Sequence, residues 1–153
     1  MKKYILGILA LILVFTFTSC DDTPVVFDNV NGQEAIQFVE TSLNVTVPAE
    51  GIMVTLPVSV TTVSTAARSF TVVEDESSTA IPGSFSLGSV SIPAGSYDGS
   101  LEVTLNTTGL ADGLLYGLVV NLVAPEGGAT FNDQATINSV SYTHLTLPTI
   151  YSV

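Results

Sequence analysis

The chain has 153 residues, of which fourteen are Asp or Glu, three are Lys or Arg, one is His and one is Cys; it has no Trp, and its formal net charge is −11 at pH 7. This length fits one domain. Lys2, Lys3 and His144 lie in terminal segments that we expect to be outside the fold, which leaves Arg68 as the one cation of residues 20–138. The composition therefore excludes a His-based triad, His metal ligation, a Schiff-base lysine and a basic phosphate loop, and it argues against a nucleic-acid partner.

The first segment predicts an export signal. Lys2 and Lys3 precede the apolar run 4–18, which is shorter than the roughly 20 residues that a membrane-spanning helix needs. We therefore predict a cleaved signal peptide over residues 1–19.

The residues at the end of this signal predict a lipid anchor. The sequence Phe17-Thr18-Ser19-Cys20 resembles a bacterial lipobox, in which the Cys becomes the acylated first residue of the mature protein. A free Cys in an ordinary secreted protein is the alternative. The acidic residues that follow resemble the surface-export signal of lipoproteins from Bacteroidota-type bacteria. We therefore expect a protein attached to the outer membrane or the cell surface through Cys20.

A short linker follows the anchor. Residues 21–32 (DDTPVVFDNVNG) are acidic and rich in turn formers, as expected of a flexible tether. We assign residues 20–33 to the lipidated Cys and this tether, and residues 34–138 to the folded domain.

Apolar residues alternate with polar ones along most of residues 34–138, which indicates half-buried β-strands. The clearest run is 52–60, in which Pro57 predicts an edge or a bulge because it cannot donate to a strand ladder. The predicted strands lie around 36–38, 43–47, 52–60, 69–73, 85–87, 90–92, 101–105 and 115–123, with a last short one at 129–131 or 135–137.

Turn formers separate these strands, and no amphipathic helical pattern appears among them. About seven short strands at regular spacing predict an all-β fold, an immunoglobulin-like antiparallel β-sandwich. The inward residues should include Val54, Leu56, Val58, Leu101, Val103, Leu105, Leu118, Val120 and Leu122, with Glu102 and Thr104 outside. The lack of a Cys pair and of Trp excludes a true immunoglobulin domain.

One motif supports a resemblance to a known family. Ser91-Ile92-Pro93-Ala94-Gly95 is followed by a Gly-containing turn and the strand 101–105, and over residues 36–135 the chain resembles the Calx-beta-like domains of Bacteroidota surface lipoproteins. Many of those lipoproteins belong to polysaccharide-utilisation gene clusters. The resemblance implies a Calx-beta-like sandwich with no known active site.

The same resemblance implies a candidate metal site. In calcium-binding Calx-beta domains, carboxylates in the loops surround the ion, and Glu74, Asp75 and Glu76 form the densest acidic cluster of this chain. A solvated acidic loop is the alternative, because no Asp-x-Asp-x-Asp spacing is present. Calcium is thus the one cofactor we consider.

Tyr97 and Tyr116 are the aromatic residues best suited to stack on a sugar ring. Tyr116 begins an alternating run and is expected in the core or at its rim, whereas Tyr97 lies on the loop after Gly95 and is the candidate ligand-binding residue. Tyr97 as an ordinary loop residue is the alternative, since carbohydrate platforms usually combine several aromatic side chains. No residue is expected to be catalytic.

The last segment is expected to be foreign. The sequence VSYTHLTLPTIYSV of residues 140–153 resembles the translation of a transposase adapter used in DNA sequencing libraries, and Ser139 is compatible with the same origin. A genuine last β-strand is the alternative. We therefore assign residues 139–153 to an adapter artefact and expect a different natural continuation after about Asn138.

Three functions fit these observations. The first is a non-enzymatic surface lipoprotein that acts as a binding or scaffolding module, with a neutral glycan or another surface protein as its partner. The second is a structural stalk or adhesin segment of a longer surface protein. The third is the N-terminal accessory domain of a truncated enzyme.

Overall fold

A computed structural model describes residues 28–141, and this part of the chain is all-β. The predicted signal peptide, Cys20 and residues 142–153 lie outside the described residues. Between residues 28 and 141 there is no helix that is long and apolar enough to cross a membrane. The ten strands are β1 (Ala35–Phe38), β2 (Ser42–Val47), β3 (Ile52–Val60), β4 (Arg68–Phe70), β5 (Val72–Glu74), β6 (Phe85–Ile92), β7 (Asp98–Leu105), β8 (Leu115–Leu122), β9 (Ala129–Phe131) and β10 (Gln134–Ser141).

The strands form two sheets that pack face to face. Sheet A has six strands in the order β4-β6-β7-β3-β1-β9, and sheet B has four in the order β2-β10-β8-β5. The predicted fold class, an all-β immunoglobulin-like sandwich, is confirmed.

The chain passes repeatedly from one sheet to the other, and two of these passages add strands to those predicted. The strand predicted over residues 69–73 is divided at Thr71 into β4 of sheet A and β5 of sheet B. The chain likewise leaves sheet A after β1 to enter sheet B as β2, and leaves it again after β9 to become β10. Both alternatives for the last predicted strand, 129–131 and 135–137, are therefore formed.

These crossings also create two parallel pairs in a sandwich that is otherwise antiparallel. β9 pairs with β1 in sheet A and β10 pairs with β2 in sheet B, both in parallel. The first and last parts of the fold thus run side by side through both sheets.

The core lies between the sheets and consists of aliphatic residues with two Phe side chains. Eight of the nine residues predicted to face inward are at most 5% exposed, and Val54 is partly buried against them. Glu102 and Thr104 point outward as predicted. The period of two therefore identified the inner faces correctly.

Pro57 lies in an interior strand whose pairing with β7 has no register shift, so neither the edge strand nor the bulge that the sequence predicted is formed there. β3 is flanked by β7 and β1, but β1 ends at Phe38, and the Pro57 carbonyl accepts a hydrogen bond from the amide of Val39 just beyond that end. Backbone N and O of one residue point to the same side of an antiparallel strand. The missing donor of Pro57 therefore faces the position where the β1 ladder stops.

β10 crosses the predicted boundary at Asn138. Ser139, Val140 and Ser141 continue its pairing with β2, and Ser139 and Val140 also continue its pairing with β8. A β-forming segment next to an open strand position pairs readily whatever its origin. The foreign origin of residues 139–153 therefore stays a prediction.

Candidate ligand-binding cleft

A cleft of about 530 Å³ opens at the end of the sandwich where the described chain begins. Three segments that are distant in sequence build it: the turn that leads into β1, the loop from β3 to β4, and the loop from β6 to β7. Its lining residues are Val30, Gly32, Glu34, Thr62, Val63, Ser64, Thr65, Arg68 and Gly95.

An ion pair forms the charged part of the cleft. Arg68 Nη1 bonds Glu34 Oε1, and the two side chains are only 17% and 27% exposed. Arg68 Nη1 also donates to Thr62 Oγ1 at 3.0 Å, and Nη2 donates to the Thr62 carbonyl at 2.7 Å. The guanidinium is therefore held through Nη1 and Nη2, which ties β4 to the residue before β1 and to the loop after β3, whereas its buried Nε has no partner.

The turn before β1 is held by Asp28. Its carboxylate accepts hydrogen bonds from the amides of Val30 at 2.9 Å and Asn31 at 3.0 Å, and from Asn31 Nδ2 at 3.0 Å. The backbone and side-chain bonds from Asn31, followed by the bond from Val30, lower the pKa of Asp28 below its ordinary value. This bonding shapes the turn that presents Val30, which is 60% exposed, to the cleft.

Tyr97 lies beside the cleft, two residues after Gly95. Its hydroxyl accepts a hydrogen bond from Asn29 Nδ2 at 2.9 Å, its carbonyl accepts one from the Val60 amide, and its side chain is 41% exposed. The ring is thus fixed against the turn that lines the cleft while much of it stays accessible. The structure brings the predicted ligand residue to the cleft, although Tyr97 does not itself line it.

The cleft is electrically balanced within a strongly acidic protein. Arg68 and Glu34 are its only ionisable lining residues, and Arg68 is the only cation among residues 28–141. A glycosidase needs two carboxyl groups that face each other across the bond to be cleaved, and this cleft holds one. Its chemistry is that of binding through hydroxyl, amide and apolar groups.

The acidic loop takes a different arrangement from the one that a calcium site requires. Asp75 Oδ1 accepts from the Ser77 amide at 2.9 Å and from Ser77 Oγ at 2.6 Å, while Oδ2 accepts from Asn121 Nδ2 at 2.6 Å. Glu74 and Glu76 are exposed on either side of it. The carboxylate of Asp75 therefore fastens its own turn to β8.

Calcium needs six to eight oxygen ligands. No group of three or more His, Cys, Asp or Glu within residues 28–141 is placed to hold a metal ion. The hydrogen bonds from Ser77 and then Asn121 lower the pKa of Asp75 below its ordinary value. Calcium at Glu74, Asp75 and Glu76 stays a prediction that this bonding does not support.

Two further residues were considered from the sequence, Tyr116 and Cys20. Tyr116 is half-buried, and its hydroxyl accepts from the Ala111 amide at 3.0 Å, so it supports the loop before β8 as expected of a rim residue. Cys20, the predicted lipid site, lies outside the described residues. Sequence reasoning missed the Arg68–Glu34 pair, although Arg68 was conspicuous as a lone cation.

No protein-family model matches this chain, and no curated protein is similar to it. Solved structures with similar folds do exist. A protein from Bacteroides ovatus ATCC 8483, described as a candidate carbohydrate-binding protein, superposes with a TM-score of 0.56 at 15% identity. The match covers 71% of this chain, which spans only 37% of that protein.

The apo form of the Calx CBD1 domain superposes with a TM-score of 0.53 at 16% identity, over 71% of this chain and 97% of that domain. A Bacteroides ovatus protein of unknown function gives a TM-score of 0.51 at 17% identity, over 72% of this chain and 45% of the other. At these identities the likeness establishes the fold alone. The Calx-beta-like sandwich implied by the sequence resemblance is therefore confirmed.

Proposed function

We propose that this protein is a non-enzymatic binding module, held at the cell surface by acylated Cys20, that captures a neutral glycan in the cleft beside Tyr97. The observation that carries the proposal is the lining of the cleft, where a mutually paired Arg68 and Glu34 stand among hydroxyl and small apolar groups.

The lining matches the chemistry of a neutral sugar. Ser64 and Thr65 offer hydroxyl groups that both donate and accept, and Val30 and Val63 offer apolar surface for the C–H face of a ring. Arg68 already has its counter-charge, so an anionic ligand would gain little from it. The acidic remainder of the protein would repel such a ligand during its approach.

The comparisons support a binding role at the level of the fold. One similar structure is described as a candidate carbohydrate-binding protein, and none of the structures compared above is described as an enzyme. The single carboxylate of the cleft agrees with this role.

The test uses a substitution that blocks the cleft and, as a control, the same substitution at the opposite end of the sandwich. Thr65→Arg places a long side chain at the cleft, whereas Thr108→Arg adds the same charge on the exposed loop after β7. The full chain, purified in detergent, is titrated with neutral di- and trisaccharides prepared from glucans, xylans and mannans. Sugar release is followed in parallel.

We expect at least one of these sugars to bind the unsubstituted chain and the Thr108→Arg chain equally, and binding to the Thr65→Arg chain to fall at least about tenfold. Equal binding by both variants would move the site away from the cleft. Released sugar would overturn the non-enzymatic assignment, and no binding of any sugar would overturn glycan capture.

A structural stalk is the second candidate, favoured by the path of the chain. The described chain begins beside the cleft, whereas β10 ends at Ser141, whose carbonyl accepts from the Gly113 amide in the loop before β8. β10 runs parallel to β2 and ends beside Val47, just before the turn that leads into β3, whereas β3 ends at the loop that lines the cleft. These two points therefore lie at opposite ends of the sandwich. Modules joined in this way extend in a line. An array of similar domains encoded after Asn138, together with no sugar binding, would favour the stalk.

A further inference from the structure

The outer face of sheet A carries a row of side chains that the cleft does not use. Phe131 on β9 is opposite Gln37 on β1, Gln37 is opposite Ser59 on β3, and Ser59 is opposite Asp98 on β7. Gln37 Nε2 donates to Ser59 Oγ at 3.1 Å, so these two side chains lie on the same face. We call these four residues the outer row.

Phe131 is the most conspicuous member of the outer row because its side chain is 60% exposed. Exposed apolar patches that are rimmed by polar residues mark binding surfaces. The residue after it, Asn132, has a φ of 42°, and it is the only residue other than glycine with positive φ among residues 28–141. The Asn132 carbonyl accepts from the Phe38 amide, which fixes the end of β9 and so the position of Phe131.

Neighbouring strands extend the apolar part of this surface. Val39 is 57% exposed and donates its amide to the Pro57 carbonyl. Pro57 is the outward-facing residue of β3 that comes before Ser59. The outer row therefore has an aromatic end at Phe131 and a hydrogen-bonding end at Ser59 and Asp98, with Val39 and Pro57 as exposed or half-buried apolar neighbours.

The outer row runs toward the cleft. Asp98 directly follows Tyr97, whose hydroxyl is bonded to the turn that lines the cleft. From Asp98 to Phe131 the row crosses three strand spacings of about 4.8 Å each, or about 14 Å in all. That length suits several consecutive units of a polymer.

The charges of this face select against anionic polymers. Asp98 and Glu102 point outward from β7, and no cation faces outward beside them within the described residues, because Arg68 is engaged in the cleft. A neutral chain with flat C–H faces and many hydroxyl groups complements this surface: it can stack on Phe131 and exchange hydrogen bonds with Gln37, Ser59 and Asp98.

We propose that the outer row is an extended binding path, along which a neutral polysaccharide held in the cleft continues past Tyr97 to stack on Phe131. The path rests on the proposed glycan-binding function and adds to it the prediction that long chains bind better than short ones. Short sugars occupy the cleft alone and do not reach Phe131.

The test compares two equally exposed side chains on the same face. Phe131→Ala removes the ring of the outer row, and Met53→Ala removes a side chain that is 61% exposed on β3 but lies away from the row. Phe131→Tyr keeps an aromatic ring. The full chain in detergent is titrated with a neutral trisaccharide and with the parent polysaccharide of the same linkage, chosen from glucan, xylan and mannan.

We expect Phe131→Ala to weaken polysaccharide binding about tenfold while it leaves trisaccharide binding within about twofold of the unsubstituted chain. Met53→Ala should change neither, and Phe131→Tyr should restore most of the polysaccharide affinity. If the trisaccharide binds and Phe131→Ala leaves the polysaccharide affinity unchanged, the proposed role of the outer row is wrong. The proposed role of the cleft would still hold. If no neutral sugar binds at all, glycan capture and the outer row both fail.

Discussion

Two buried serines near the end of β10 differ in one hydrogen bond. Ser139 Oγ donates to the Tyr116 carbonyl at 3.3 Å, whereas Ser141 Oγ is fully buried without a partner. The inward residues before them on β10, Ala135 and Ile137, are apolar. The inward positions of β10 are therefore apolar up to Ile137 and polar from Ser139 onward.

This difference predicts opposite effects of the same substitution. Ser141→Ala should raise the free energy of unfolding by about 1 kcal/mol, because an unsatisfied buried hydroxyl is removed without added volume. Ser139→Ala removes a hydrogen bond and should leave the stability unchanged or lower it. Urea unfolding of both variants measures the difference, and a less stable Ser141→Ala chain would contradict the assigned environment.

Asp75 predicts a local response to acid. Because its folded pKa lies below its ordinary value of 3.8, its bonds to Ser77 and Asn121 stabilise the fold above that value, and this contribution is lost as the pH falls through the lowered pKa. The Asp75→Ala chain should therefore lose less stability on acidification below about pH 4 than the unsubstituted chain does. Denaturant midpoints measured across this range test it, with Glu76→Ala at the exposed neighbour as the control.

At the scale of the strands, close backbone approach distinguishes two glycines that both lack positive φ. A methyl group at Gly99 on β7 would overlap the carbonyl oxygen of Ser91 on β6 and the side chain of Ile92, whereas at Gly117 on β8 the nearest atom, Thr79 Oγ1, lies 3.6 Å away. Sheet A therefore has no space for a side chain at Gly99.

We predict that Gly99→Ala lowers the free energy of unfolding by about 1–3 kcal/mol, because the strands must shift to admit the methyl group. Gly117→Ala should be tolerated within about 0.5 kcal/mol, since its surroundings leave ordinary contact distances. Thermal unfolding of the two chains provides the comparison. Equal stabilities would mean that β6 and β7 lie farther apart at this position.

The passages of the chain between the two sheets also bring the first and last strands into contact. β1 pairs with β9 and β2 pairs with β10, so residues near the beginning of the described chain are joined to residues near its end in both sheets. Such long-range pairing carries a high loop-closure entropy and slows folding. The ion pair at Arg68 and the cleft likewise join segments that are distant in sequence.

For the whole molecule, the position of the cleft next to the tether sets a constraint on ligand access. Residues 20–28 can span at most about 30 Å when fully extended. If Cys20 is acylated, the cleft stays within about this distance of the membrane, and the outer row leads from it along sheet A. A polymer that reaches the protein from the side could follow that path.

The predicted lipid anchor at Cys20 can be tested on the whole protein. Cys20→Ser should abolish acylation and processing behind Ser19, and the protein should lose its membrane association, because several acyl chains at about 0.8 kcal/mol per buried methylene supply the attachment. Labelling with a radioactive fatty acid and fractionation of the cells measure both effects. A Cys20→Ser chain that still carries lipid would contradict the assignment.

The local pattern of the sequence was sufficient for the strands and their inner faces. Alternation along 52–60 and 101–105 identified the buried side chains because every second residue of a strand points to the same face, whatever strand lies beside it. The turn formers located the loops for a similarly local reason, since Pro and Gly restrict or relax the backbone of their own residue.

Only the tertiary structure decided which residues meet. Glu34, Thr62 and Arg68 share a cleft, and Gln37, Ser59 and Phe131 share a row, because of strand order and register between segments that are distant in sequence. Alternation reports the face on which a side chain lies but carries no information about its neighbour on the next strand. Phe131 therefore looked like one more apolar strand residue, and its exposure follows from its place on an edge strand whose outer face no other element of residues 28–141 covers.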